Sequence, residues 1–267
     1  IWFAGAAAFI ASQIVHIPML LGWQQLLIAL GVDKIGEPSL LLTAGLTLAV
    51  SFMAGLCEEP ARWFAYKLLK EEGEPSRHAL MLGAGHGGVE SMFVALSVIS
   101  SAVSIYMFQS GNLPLDQLAP AQVEALTEAA NLAWYLPFWG GFERLLAITL
   151  HISLSVIIWL GVRDKKIGNL FIAMGLHTLF NFVGVFTAQQ GLPYWVIEGS
   201  MTVIAVALAF FVVKLIRKNG MMTLYAPEKL DDEEEFSGVL AEQFREAGFA
   251  GLVESNEKAE DSQGEED

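Results

Sequence analysis

The sequence predicts an all-α, polytopic membrane protein with six transmembrane helices and a disordered acidic C-terminal tail. Three observations carry that prediction. Only 16% of the 267 residues are charged and 54% are hydrophobic, whereas soluble domains carry about 25% charged residues. Six apolar stretches reach the roughly 20 residues that a membrane-spanning helix needs. The acidity sits at one end: residues 226–267 hold 15 acidic and 3 basic side chains, and residues 1–225 hold 14 and 12. Of the net charge of −14, the tail therefore carries −12 and the body −2. No basic footprint is present, so no nucleic-acid partner is expected. The single Cys57 excludes an internal disulfide and a cysteine-based zinc site.

The first span, about Phe3–Leu30, carries Gln13 and His16, with Pro18 placed to kink it. The chain starts mid-apolar at Ile1 without a Met, so an upstream segment holding one more helix is expected. A secretory signal peptide is not, because no basic n-region or cleavage site precedes a polar chain. The second span, about Leu40–Leu69, is uncharged until Glu58-Glu59-Pro60-Ala61-Arg62. The third, about His78–Phe108, brings His86 and Glu90. A connection rich in proline and acids follows, with a surface helix expected over Ala121–Ala130. The fourth span, about Leu132–Val162, holds Glu143, Arg144, His151 and Ser155. The fifth, about Gly168–Gln189, holds His177 and Asn181, and the sixth, about Tyr194–Leu215, holds Glu198. Residues 1–218 thus form the helical domain and residues 219–267 the tail, with a short amphipathic helix over about Phe236–Phe249.

Lysine and arginine mark one side of this topology. Lys67, Lys70 and Arg77 flank one connection, Arg163, Lys165 and Lys166 another, and Lys214, Arg217 and Lys218 end the last span. The alternate connections hold only Lys34. The positive-inside rule makes the tail cytoplasmic. At 1.5 Å per residue, Glu59 then lies about 12 Å, His86 about 13 Å, His177 about 16 Å and His151 about 18 Å from the cytoplasmic ends of their helices. Four spans place ionisable groups in one layer. Glu143 and Arg144 fall near the opposite interface and read as structural, and Glu198 reads as interfacial.

Four pairs stand four residues apart and share a helix face: His86/Glu90, His177/Asn181, His151/Ser155 and Glu58/Arg62. Each has a plain reading, as an interfacial ion pair or a helix–helix hydrogen bond. Against it stands the cost of a charge at bilayer depth, about 2.5–3.5 kcal/mol, which makes such residues functional candidates by default. Two adjacent carboxylates do not both ionise readily, and a neighbouring guanidinium keeps one charged as a general base. His177/Asn181 suits an oxyanion. Gly83-Ala84-Gly85-His86-Gly87-Gly88 strips side chains from around His86, which suits close helix approach in lipid or backbone meeting a ligand. The chain holds no HExxH, GxSxG or phosphate-loop lysine motif.

Glu58-Glu59-Pro60-Ala61-Arg62, His86-Gly87-Gly88-Val89-Glu90-Ser91, Glu143-Arg144 with His151-Ile152-Ser153-Leu154-Ser155, and His177-Thr178-Leu179-Phe180-Asn181 together resemble the YhfC family of multi-pass membrane proteins. That family is similar to PrsW and to the CAAX-processing and bacteriocin-processing membrane proteases. The resemblance covers about residues 1–218 and includes Gln13-Ile14-Val15-His16; the tail has no counterpart in it. It implies an intramembrane endopeptidase in a bacterial cytoplasmic membrane. Glu58 first, and Glu59, would activate water; His86 and Glu90 would partner it; His177 and Asn181 would steady the oxyanion. Arg62, His151, Ser155 and His16 would support them. A zinc ion, if used, would sit among His86, Glu90, His151 and His177; a glutamate/histidine mechanism without metal stays equally open. Membrane lipids and a membrane-protein or lipidated-peptide substrate are the partners implied, and the acidic tail offers a surface to a basic partner. A proton- or metal-coupled transporter and a non-catalytic scaffold remain alternatives.

Overall fold

The computed structural model describes residues 1–36, 38–69 and 75–219. Among the described residues it is wholly helical, and six helices are long and apolar enough to cross a membrane. They are α1 (Trp2–Ala29), α2 (Leu40–Leu68), α3 (Pro75–Gln109), α5 (Leu136–Arg163), α6 (Gly168–Gln189) and α7 (Tyr194–Lys218), with the short surface helix α4 (Pro120–Ala130) between α3 and α5. The expected tail helix, and the tail itself, lie outside the described residues.

Local chemistry sets the boundaries. Ser39 caps α2, its hydroxyl accepting from the Leu42 amide at 3.3 Å. The fourth span was expected from Leu132 but α5 begins at Leu136. Pro137, with no N–H to give, belongs in a first turn rather than an interior one. The last span runs three residues past Leu215, because Arg217 and Lys218 complement the negative end of the helix dipole. Gly31 and Gly191 turn the chain after α1 and α6 with φ of 71° and 66°, a backbone that side chains resist.

α5 is the central helix. It packs on α2, α3, α6 and α7, and 72% of its most apolar window is buried, against at most 33% for any other span. Around it Trp63, Leu82, Leu150, Leu154, Ile158 and Phe180 form the dry core. Outward-facing side chains such as Leu41, Phe64, Leu96 and Phe210 are apolar and exposed, a surface that only lipid satisfies. Glycines set the helix spacing. A Cβ at Gly83 would lie 2.5 Å from Ile152 Cα and 2.7 Å from the His151 carbonyl oxygen, and one at Gly5 would run into the Leu82 carbonyl. The glycines around His86 therefore serve helix approach: Gly83 and Gly87 meet α5, and Gly85 meets α1.

The helices alternate in direction, so the Lys/Arg-rich ends gather at one face. Arg163 Nη2 donates to Asn219 Oδ1 at 3.1 Å there, joining the ends of α5 and α7. At the other face α4 sits with the ends of α3 and α6 and the starts of α5 and α7.

Candidate functional site

Four helices bring their polar groups to one buried cluster. α2 supplies Glu58, Glu59 and Arg62; α3 supplies His86; α5 supplies His151; α6 supplies His177. All six are buried. Pro60 sits inside α2 just after the acids, and spans tolerate the missing amide because neighbours satisfy the freed carbonyl. Consecutive residues point about 100° apart on a helix, so Glu58 and Glu59 divide their work.

Glu59 is fully engaged. Its Oε2 accepts from Arg62 Nη1 at 2.6 Å and its Oε1 meets His177 Nδ1 at 2.8 Å. Arg62 then donates through Nη2 to His151 Nδ1 at 2.8 Å. A guanidinium can only donate, so His151 Nδ1 is an acceptor and its Nε2 carries the proton. That Nε2 pairs with Glu90 Oε2. On the same logic His177 donates through Nδ1, which leaves its Nε2 open towards Glu58, 3.9 Å from Oε2. Glu58 also faces His86, whose Nε2 lies 3.1 Å from the same oxygen. The rings continue the chain: His86 and His151 centroids are 4.9 Å apart, and His151 and His177 are 5.2 Å apart.

Glu58 differs from its neighbour. Its side chain is 7% exposed where that of Glu59 is 0%, and no lysine or arginine braces it among the described residues. Burying charge without such bracing costs several kcal/mol per ion, so its surroundings suit a group that takes up and gives back a proton.

Several expected members stand elsewhere. Arg62 pairs with Glu59 three residues back, not with Glu58 four back. Ser155 bonds the Tyr66 hydroxyl at 2.6 Å, away from the carboxylates. His16, by contrast, is half-buried on α1 within electrostatic reach of His177 and Glu90, with no hydrogen bond among the described residues. Asn181 is half-buried one turn beyond His177 and lines a cavity of about 230 Å³ with Glu90 and His151. Glu90 is held by Arg144, whose Nη1 donates to Oε1 at 3.0 Å while Nη2 pairs with Glu143. Arg144 thus braces the site rather than only the interface. The long guanidinium stem carries its charge well away from its Cα, and a spacing of seven residues, two turns, aligns it with His151. Glu198 stands one turn into α7, near the outer end as expected, and is buried at the cavity wall. Tyr66, one turn past Arg62, is a further buried polar member that the sequence reading did not single out.

A family model described as YhfC intramembrane metalloprotease matches residues 5–201, most of the chain. The chain belongs to this family. It is also similar to an uncharacterized membrane protein YhfC of Bacillus subtilis (strain 168), 29% identical over 175 residues that cover 62% of this chain and 66% of that protein. The chain spans just under two thirds of that relative's length. No solved structure matches. The YhfC match holds the whole cluster, Arg144 and Glu198, and stops within α7.

The family description asks for a metal ion, and the residue types fit one, with the condition that an ion bound by His151 displaces either Arg62 from Nδ1 or the proton from Nε2. Glu58, His86 and His151 place three ligand atoms within 4.8 Å of one another, as do Glu59, His151 and His177. Two imidazoles and a carboxylate form the donor set of many catalytic zinc sites. His86 Nδ1 is buried and without a partner among the described residues, a further free donor atom. Glu59 orienting His177 through Nδ1 is the arrangement that fixes a ligating imidazole. The two groups draw on Glu58 and Glu59 where the sequence suggested Glu90.

Proposed function

We propose that the chain is an intramembrane endopeptidase that cleaves a membrane-protein or lipidated-peptide substrate with a water activated by Glu58. One observation supports this most: two adjacent carboxylates and three imidazoles from four different spans meet in a buried cluster, with one carboxylate braced and the other free.

Glu58 takes the proton of the attacking water. His86, with Nε2 at 3.1 Å, receives or returns that proton and passes it to the leaving amine. Arg62 and Glu59 hold His151 and His177 in fixed tautomers: His151 is engaged through both nitrogens, by Arg62 and Glu90, and His177 keeps Nε2 aimed at Glu58. Asn181 on the cavity wall donates to the developing oxyanion, joined by His177 when its Nε2 carries a proton. A divalent ion such as Zn²⁺, held by Glu59, His151 and His177, would leave Glu58 and His86 to these roles and add Lewis-acid polarisation of the water and the carbonyl. The low dielectric of the buried site strengthens each of these interactions.

Replacing Glu58→Gln keeps the shape and removes the base. Cleavage should fall by about 10²–10⁴-fold with an unchanged melting curve in detergent. Full turnover in that variant would exclude Glu58 as the base. Elemental analysis of purified protein, beside turnover in chelator, decides the metal. A stoichiometric ion lost together with activity assigns the Lewis-acid role; full activity without metal assigns the reaction to the glutamates and histidines alone.

A further inference from the structure

The cavity beside the cluster has a second chemical character. It runs from Glu90 and His151 at mid-helix depth to Ala188 and Tyr194, at the end of α6 and the start of α7. Three carboxylates line it, Glu90, Glu143 and Glu198, with one guanidinium, Arg144. Arg144 is shared by Glu90 and Glu143. Glu198 has no such partner. It is 4% exposed, and its carboxylate makes no hydrogen bond among the described residues. An unpaired acid buried in the protein is costly, and in membrane proteins such groups mark sites for ligands or protons.

The walls decide which ligand. Between the acids lie Leu150, Phe180, Val185, Ile197 and Met201. At about 230 Å³ the cavity falls short of the roughly 300 Å³ where pockets for drug-sized ligands begin. It has room for one side chain. An apolar shaft with an acid unpaired in its wall matches an aliphatic stem that carries a cationic head.

We propose that this cavity is a specificity pocket for a basic residue of the substrate, lysine above all, with Glu198 as its counter-ion. The proposal deepens the peptidase reading: a lysine seated here brings the adjoining backbone to Glu90, His151 and Asn181, beside the cluster. A cation in the pocket also offsets the excess negative charge that three acids and one base leave there.

Binding tests this separately from cleavage. The probes are N-acetylated, C-amidated pentapeptides of leucine and alanine with lysine, norleucine or glutamate at the centre. They are titrated by calorimetry into the full chain in detergent, in wild type and in the Glu58→Gln variant. Lysine should bind about tenfold or more tighter than norleucine, the worth of one charge-assisted hydrogen bond, and glutamate weakest. Glu198→Gln should erase the lysine preference and Glu198→Asp should keep it. Equal binding of lysine and norleucine by wild type overturns the proposal, whether or not the variants fold. So does a lysine preference that survives Glu198→Gln, which would make Glu198 a proton carrier instead. If Glu58→Gln cleaves at full rate while the preference holds, the base assignment fails and the pocket stands.

Discussion

Arg62 serves two acceptors from one buried position, Glu59 through Nη1 and His151 through Nη2. Lysine, with one ammonium, cannot reproduce that fork. Arg62→Met should therefore cost about 3–5 kcal/mol by leaving Glu59 charged and unpaired. Unfolding in mixed detergent measures it. The double variant Glu59→Gln with Arg62→Met should lose less than the two single losses added together, because the second change removes the charge that the first leaves unpaired. Strict additivity would mean that the pair is not coupled. These residues were legible in the sequence because carboxylates and a guanidinium in an apolar span have few plain explanations. Their pairing was not. Spacings of three and four both bring side chains together on a helix, and only the positions of His177 and His151 on α6 and α5 turn Glu59, rather than Glu58, towards Arg62. Ser155 shows the same limit: it shares a face with His151, yet that face widens enough for Tyr66 to claim it.

At the scale of the element, α3 and α5 must cross closely for His86 to reach Glu58 and His151. Gly83 permits that crossing. Gly83→Val should push the two helices apart, lower the melting temperature in detergent and abolish cleavage, since its new atoms meet backbone that cannot yield. Gly175→Ala supplies the contrast. Nothing lies within 4 Å of a Cβ there, so helix propensity alone acts, and stability should rise by about 0.5–1 kcal/mol. Equal effects at the two positions would mean that Gly83 is not a packing contact. The spans themselves were readable to within a few residues, since length and hydropathy are what the bilayer demands. The depth of each polar group was readable too, because rise per residue is fixed. That reckoning follows Cα positions and misses side-chain reach. For this reason Arg144 reads as interfacial by its Cα although its guanidinium reaches Glu90.

For the whole molecule, the cluster and the cavity mouth lie towards opposite faces. Glu59 stands nine residues before the Lys/Arg-rich end of α2, about 14 Å along the axis. The cavity leads the other way, to the face that carries α4. If lysine and arginine mark the cytosol here as they do elsewhere, a lysine whose backbone lies beside the cluster points its head outward, to Glu198 one turn from the start of α7. Single cysteines test the orientation in a Cys57→Ser background. Asn112→Cys lies between α3 and α4, and Lys166→Cys between α5 and α6, both exposed. A membrane-impermeant maleimide on intact cells should label the first and spare the second until the cells are opened. The reverse pattern would put α4 in the cytosol and turn the pocket inward.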